Sequence, residues 1–322
     1  MRSAMSRFFL LLVLSMPMLA VGQSWPSKPI RMLVPFPPGG GVDFAARVVG
    51  KHLSDRLGQP VVVENRAGAN GIIALEALKA AAPDGYTIGA ISNGPLVINP
   101  SMYLKLPYDP VRDFTPIGRM VDFPLLLVTH PSVPANSVAE FIALAKAKPG
   151  ALTYSSPGVG NGSHLAVELL GFRANVDLMH IPYKGTAPAA TALLAGEVAF
   201  TMSSIPTVLP HIRAGKLRAL AVGNANRIPA LPEFPTLAES GVPGYEAFSW
   251  AGLLGPAGTP AEAVTRLNRE LTHILGQKEI VEQLAKDGAL ATPDTPEQFS
   301  AYIKTELSKW ASIVKLAKIK PE

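Results

Sequence analysis

The chain has 322 residues, with 29 basic and 24 acidic side chains and no cysteine. This excludes disulfide scaffolds, Cys-ligated zinc, iron–sulfur clusters, thiol catalysis and a lipidated N-terminal cysteine. The basic residues stand singly, with no Lys/Arg block of the kind a nucleic-acid surface needs.

Residues 1–22 read as a cleaved signal peptide. Arg2 and Arg7 form a positive start, residues 8–20 an apolar run, and Ala20 and Gly22 place small side chains where a signal peptidase cuts. That run of 13 residues is short for a membrane span, which takes about 20, so a retained anchor is the weaker alternative. Cleavage near Gly22 leaves 300 residues, enough for two α/β domains or one large one. Without Arg2 and Arg7, 27 basic residues face 24 acidic ones, a net charge of +3. No later stretch is apolar over 18 residues, so the mature chain is expected to be soluble and periplasmic.

The 31 prolines fall between periodic segments and punctuate many short elements. Residues 30–35 are expected to form a buried strand, followed by a Pro/Gly loop over 36–41. A helix over 43–57 carries Ala45, Val48, Val49 and Leu53 on one side and stops at Gly58, and 61–63 is the next strand. Two strands joined by a helix in this way should be parallel. A second unit of the same kind is expected in the middle. Residues 125–129 form its first strand, Ser137 and Glu140 cap its helix, and 152–155 form its second strand. A Gly/Ser loop over 156–163 leads into a helix over 164–172. Thr259 with Glu262, and Thr295 with Gln298, read as two further capping boxes, each with proline at the first helical position. Strands alternating with helices in two groups indicate two α/β domains.

Two loops carry the chemistry. PFPPGGG at 35–41, followed by Asp43, and SSPGVGNGS at 155–163 each deliver glycines from a strand to a helix start. Glycines let a ligand approach the backbone, and free N–H groups at a helix start favour an anion. Either loop alone is most often simply a turn, Asp43 is most often a helix cap, and His164 is most often a packed residue. The duplication supports a function: one loop per domain, facing each other, would clamp a small dianion. No P-loop ending, dinucleotide fingerprint, Gly-x-Ser-x-Gly elbow or His-Glu-x-x-His is present, and the six histidines lack metal spacing. No cofactor or metal is expected.

At these loops the chain resembles the substrate-binding proteins of tripartite tricarboxylate transporters, the Bug receptors. PFPPGGGVDFAAR at 35–47, VENRAGA at 63–69, PDGYT at 83–87 and YDP at 108–110 carry the resemblance through the first part of the chain. SPGVG at 156–160 with His164 and Leu165, HIPYKG at 180–185, GKLRALA at 215–221 and GPAGTP at 255–260 continue it. It implies a type II periplasmic-binding-protein fold, with two doubly wound lobes joined by a hinge. Lobe 1 would comprise residues 23–124 and 251–322 and lobe 2 residues 125–250, with crossings near 123–128 and 248–253. It also implies a ligand wall of Phe36, Gly39, Gly40, Asp43, Ala69 and Ser92 from the first lobe. From the second come Ser156, Gly158, Gly160, Asn161, His164 and Ser203. Asn161 stands where relatives usually have Ser or Thr, Ser203 where many have an acid, and Ala74 where a glycine is frequent. The missing acid argues mildly against an amino-acid ligand.

The implied function is a monomeric receptor that catalyses nothing and hands a small organic carboxylate to a permease of one large and one small membrane subunit. No nucleic acid is involved. The alternatives are a ligand sensor signalling to a membrane kinase and, more remotely, an exported α/β hydrolase.

Overall fold

The computed structural model describes residues 25–228, 231–286, 288–316 and 319, so the expected signal peptide lies outside the described residues. Strand β1 (Ile30–Val34) is buried at four of its five positions. Helix α1 (Gly41–Leu57) buries Val42, Ala45, Ala46, Val49, Leu53 and Leu57 on one side. It ends at Gly58, whose left-handed backbone (φ 68°) closes the last turn onto the Ser54 carbonyl. Strand β2 (Val61–Asn65) lies parallel to β1, with Ile30 opposite Val61, as the alternation of elements requires. Helix α2 (Ile72–Lys79) leads to β3 (Thr87–Ser92), which is parallel to β1 on its other side. A π-turn over Gly94–Ile98 and the short α3 (Asn99–Met102) follow.

Strand β4 (Phe114–Thr129) is longer than the expected 125–129 and ties the molecule together. Residues 114–124 pair antiparallel with β9 (Phe248–Pro256), through register slips near Gly118 and between Arg119 and Val121. From Leu125 the same strand pairs instead with β7 (Phe200–Ser204) and β8 (Arg218–Val222). It therefore changes partners at Pro124, a residue with no N–H to give.

Helix α4 (Val138–Ala147) is capped as expected, Glu140 N donating to Ser137 Oγ at 3.2 Å. The Glu140 carboxylate accepts from Asn136 N at 2.7 Å. The second parallel unit is not the one expected. Strand β7 stands between β4 and β5 (Thr153–Ser156), and β4 runs antiparallel to β7, because β4 arrives as the continuation of a strand whose direction was set beside β9. The actual parallel unit is β5, α5 (Gly162–Ala174) and β6 (Met179–Pro182), and it contains the second glycine loop. Helices α6 (Thr186–Leu194) and α7 (Ile205–Arg213) flank β7 in sequence.

After β9 come α8 (Ala261–Leu275), α9 (Lys278–Lys286), β10 (Leu290–Ala291), which pairs with β4, and α10 (Pro296–Leu316). The Thr295 box forms in full, Gln298 N donating to Thr295 Oγ at 3.2 Å and Thr295 N to Gln298 Oε1 at 2.9 Å. The Thr259 box does not form. Thr259 Oγ turns back to the Pro256 carbonyl at 2.7 Å, and Pro260 becomes the helix cap. Helix α10 packs on β4, α3 and α5, and its Trp310 shares a core with Trp250, Phe299, Tyr154 and Phe200.

The register sets where the loops point. Ser92 at the end of β3 and Val121 of β4 are both opposite Ala251, so the C-terminal ends of β1, β2 and β3 face the Pro124 crossover. Ser204 is opposite Leu125 and Phe200 opposite Thr129, so the C-terminal ends of β5, β6 and β7 face the same crossover from the other side. No helix among the described residues is long and apolar enough to cross a membrane.

Candidate functional site

Gly39 and Gly40 carry the chain from β1 into α1. Gly39 has a left-handed φ of 88°, and Gly40 is the extended N-cap. A β-carbon added at either would meet nothing within 4 Å. The first N–H groups of α1 have no acceptor inside the helix and point toward the crossover end of the sheet. Asp43 is the anchor of this loop. Its buried carboxylate accepts from Gly39 N at 3.0 Å, Arg47 Nε at 3.0 Å and Asn65 Nδ2 at 2.8 Å. Asn65 Nδ2 also holds the Phe36 carbonyl at 2.9 Å. Burial alone would raise the Asp43 pKa, but the bonds from Arg47, Gly39 and Asn65 outweigh it and hold the carboxyl below its ordinary value.

Asp43→Ala is therefore expected to cost about 1–2 kcal/mol at pH 7, through loss of the bonds from Gly39 N, Asn65 and Arg47, with Gly39 open to water and Asn65 keeping the Phe36 carbonyl. A depressed carboxylate stabilises above its unfolded pKa near 3.9 and loses that contribution as pH falls through its lower folded value. Urea unfolding should show the difference from wild type shrinking toward pH 3, and a difference constant with pH would contradict this role.

The second loop is held by hydroxyl and imidazole groups. Ser156 Oγ lies 2.6 Å from His180 Nε2, 3.0 Å from the Gly158 carbonyl and 3.2 Å from Gly158 N. Gly158 (φ 148°) and Gly160 (φ 72°) adopt backbone that other residues avoid. Gly160 N donates to His164 Nδ1 at 3.1 Å, which fixes that imidazole as an acceptor. Asn161 caps α5, its Oδ1 accepting from Ser163 N at 2.9 Å.

Of the other residues singled out, Ser92 and Ser203 are buried at the crossover ends of β3 and β7, and Ala69 is exposed, with φ 45°, in a short turn after β2. The two sides meet through residues the sequence did not mark. A β-carbon at Gly160 would stand 3.2 Å from Met102 Cγ, and one at Gly162 would stand 3.5 Å from Asn93 Nδ2. Asn93 in turn accepts from Ser249 Oγ at 2.9 Å and donates to the Phe248 carbonyl at 3.3 Å.

Beneath the second loop three rings stack. His164 and His180 lie 4.0 Å apart at 19°, and Tyr154 lies 4.8 Å from His180 at 21°. Tyr154 gives its hydroxyl proton to Glu168 Oε1 at 2.5 Å. Burial, and then the neighbouring His180, push His164 down to about 3, and burial pushes His180 down to about 4. Both are neutral at pH 7, so the 3.8 Å approach of His164 to Glu168 is no ion pair. In the unfolded chain both histidines bind protons from about pH 6.5 downward, whereas the folded protein does not. Stability therefore falls as pH drops from about 6.5 to about 4, by up to roughly 1.4 kcal/mol per pH unit for each ring. His180→Phe, which keeps the ring, should remove about half of that slope in thermal melts, and an unchanged slope would contradict the assignment.

Residues 45–319 match the tripartite tricarboxylate transporter family receptor. The protein BugT of Bordetella pertussis is 41% identical over 293 residues, which cover 91% of this chain and 90% of BugT. A solved R. palustris protein, Rpa4515 with adipate, is 36% identical with a TM-score of 0.89, covering 92% of this chain and 100% of its own. MatC from Rhodopseudomonas palustris, solved with bound malate, is 32% identical with a TM-score of 0.83, covering 90% and 100%. The architecture is the α/β fold of periplasmic binding proteins.

Proposed function

The chain belongs to the tripartite tricarboxylate transporter receptor family, and we propose that it is an exported receptor that closes over a small dicarboxylate and passes it to a two-component membrane permease. The observation that carries this reading is the pair of glycine-lined helix starts, at Gly40 of α1 and Asn161 of α5, on the two sides of one crossover. Each offers N–H groups to an anion, at α5 those of Val159 and Gly162, since Gly158 N, Gly160 N, Asn161 N and Ser163 N already bond within the loop. Adipate and malate, the acids named with two similar structures, each carry two carboxylates.

In this reading residues 23–124 and 251–322 form one lobe, residues 125–250 the other, and β4 with the start of β9 is the hinge. Phe36, Gly39, Gly40, Ala69 and Ser92 line one wall, with Asp43 fixing the loop behind them. Ser156, Gly158, Gly160, Asn161, His164 and Ser203 form the other. Residues 1–22 direct export to the periplasm. No catalysis is assigned. Ser156 is fully buried, and no carboxylate hydrogen-bonds to His180 among the described residues, so a screen with chromogenic esters should show no turnover.

The test is a thermal-shift screen of the mature protein against small mono-, di- and tricarboxylic acids and their neutral amides. An acid at 100 times its dissociation constant adds about 2.7 kcal/mol, a shift of several degrees. A shift with an acid and none with its amide supports the receptor. No shift with any acid, for folded protein freed of bound ligand, overturns it.

A further inference from the structure

His180 belongs to no loop, yet it touches the second glycine loop at its most consequential atom. Ser156 Oγ has one proton and three neighbours: His180 Nε2 at 2.6 Å, the Gly158 carbonyl at 3.0 Å and Gly158 N–H at 3.2 Å. The amide can only donate, so the serine proton goes either to the imidazole or to the carbonyl, and the state of Nε2 decides which. When Nε2 is bare, Ser156 donates to it. When Nε2 carries a proton, it donates to Ser156 Oγ, and the serine proton turns to the Gly158 carbonyl. Starting from the neutral Nδ1–H tautomer, the second state is the imidazolium: it takes one proton from solvent, breaks no bond between heavy atoms, and leaves a positive charge behind the loop. The neutral Nε2–H tautomer turns the hydroxyl the same way without charge.

We propose that His180 is a positioning residue of the second glycine loop, setting the direction of the Ser156 hydroxyl and taking up a proton when an anion binds at residues 158–161. The proton-uptake half rests on the carboxylate-receptor reading; the positioning half does not. The groups that face His180 are Tyr154 and Ser156 of β5 and His164 of α5, with Glu168 of α5 reached through the Tyr154 hydroxyl. In the free protein burial keeps His180 neutral near pH 7. Tyr154 and the neutral His164 offer it no negative charge, so a bound carboxylate would supply the opposite charge that favours the imidazolium. The second histidine has its own reporter, since Gly160 N donates to His164 Nδ1 and not to His180.

The experiment uses the mature protein and has two arms. In the first, ligand-free 15N-labelled protein is titrated from pH 7.5 to 3.5. The Gly158 amide should move with the midpoint of the His180 imidazole, stay flat in His180→Phe, and lose the coupling in Ser156→Ala. The Gly160 amide, bonded to His164 Nδ1, should stay nearly flat down to about pH 4 in all three proteins, because His164 titrates lower, at about 3. A Gly158 amide that ignores His180 in wild type, or follows it equally in Ser156→Ala, overturns the positioning role. In the second arm adipate and malate are the probes, titrated calorimetrically at pH 6 in two buffers of different ionisation enthalpy. Wild type should take up more protons on binding than His180→Phe, and its affinity relative to that variant should rise by up to about tenfold per unit as pH falls below 7. Equal proton uptake in the two proteins overturns the linkage. If neither probe binds and the acid screen is also blank, the receptor reading falls together with the linkage, and the first arm still decides what His180 does to Ser156.

Discussion

Replacing Gly40 by valine is expected to weaken carboxylate binding at least about a hundredfold, equivalent to about 2.7 kcal/mol, while leaving the protein folded. Gly40 has φ −85° and ψ 167°, a backbone every L-residue adopts, and a β-carbon there meets no atom within 4 Å. The substitution therefore brings no backbone strain and its β-carbon no clash; the structural cost that follows is the loss of a favoured N-cap, about 1 kcal/mol or less. What it fills is the open approach to the first N–H groups of α1. Gly39 would be a poorer test, because its φ of 88° strains any other residue and confounds folding with binding. Calorimetric titration of the variant, with its melting temperature within a few degrees of wild type, checks this. Unaltered affinity would remove the first loop from the ligand wall.

Glu306→Ala is expected to be the most damaging single change to stability, lowering the melting temperature by roughly 6–12 °C. The Glu306 carboxylate, 3% exposed, accepts from Trp250 Nε1 at 3.0 Å and Trp310 Nε1 at 2.9 Å, and pairs with Lys309 at 3.2 Å. Both indoles are fully buried, so truncation leaves two donors without acceptors, each costing about 1–3 kcal/mol, and opens a void between α10 and β9. The effect should reach function, because Trp250 lies opposite Asp122, two residues before the Pro124 crossover, and α10 also packs on α5 of the other group of elements. Glu306→Gln, which keeps one acceptor oxygen, should cost less. A drop of under two degrees for the alanine variant would contradict this account of the core.

The first βαβ unit was legible because every local signal agreed. Gly39 to Gly41 opened the helix, apolar residues recurred at helical spacing and Gly58 closed it, as observed. Strand β4 was legible only in its second part. Pro116, Gly118 and Pro124 look like breakers in a sequence, whereas here two register slips absorb the irregular stretch and Pro124 falls where the strand changes partners. The direction of that strand leaves no trace in the sequence, so the expected parallel unit from 125–129 to 152–155 gives way to the one from β5 to β6. The two Thr boxes look alike on paper. Thr259 lies beside the end of β9, where the Pro256 carbonyl competes for its hydroxyl, whereas Thr295 Oγ accepts from Gln298 N with no such competitor among the described residues.

The site was legible where it is made of glycine and less so where it is made of contacts across the fold. Asp43 stood between helix cap and ligand contact, and the structure has it in the first turn of α1, reaching back to Gly39 N and across to Asn65. Asn93 and Met102 carried no signal, because their importance comes from elements distant in sequence. His180 sat in a recognised segment without a role. Its role follows from the register that sets it opposite Tyr154, one strand from the loop.

The central claim is most directly tested by a crystal structure of the mature protein with the acid that shifts its melting temperature furthest. The account predicts one carboxylate within hydrogen-bond distance of the backbone N–H groups at residues 40–43 and the other against residues 158–162, with β4 and β9 carrying the chain across between the two sides. An acid bound elsewhere, for example in the surface groove lined by Tyr103, Tyr108 and Arg112, would contradict it.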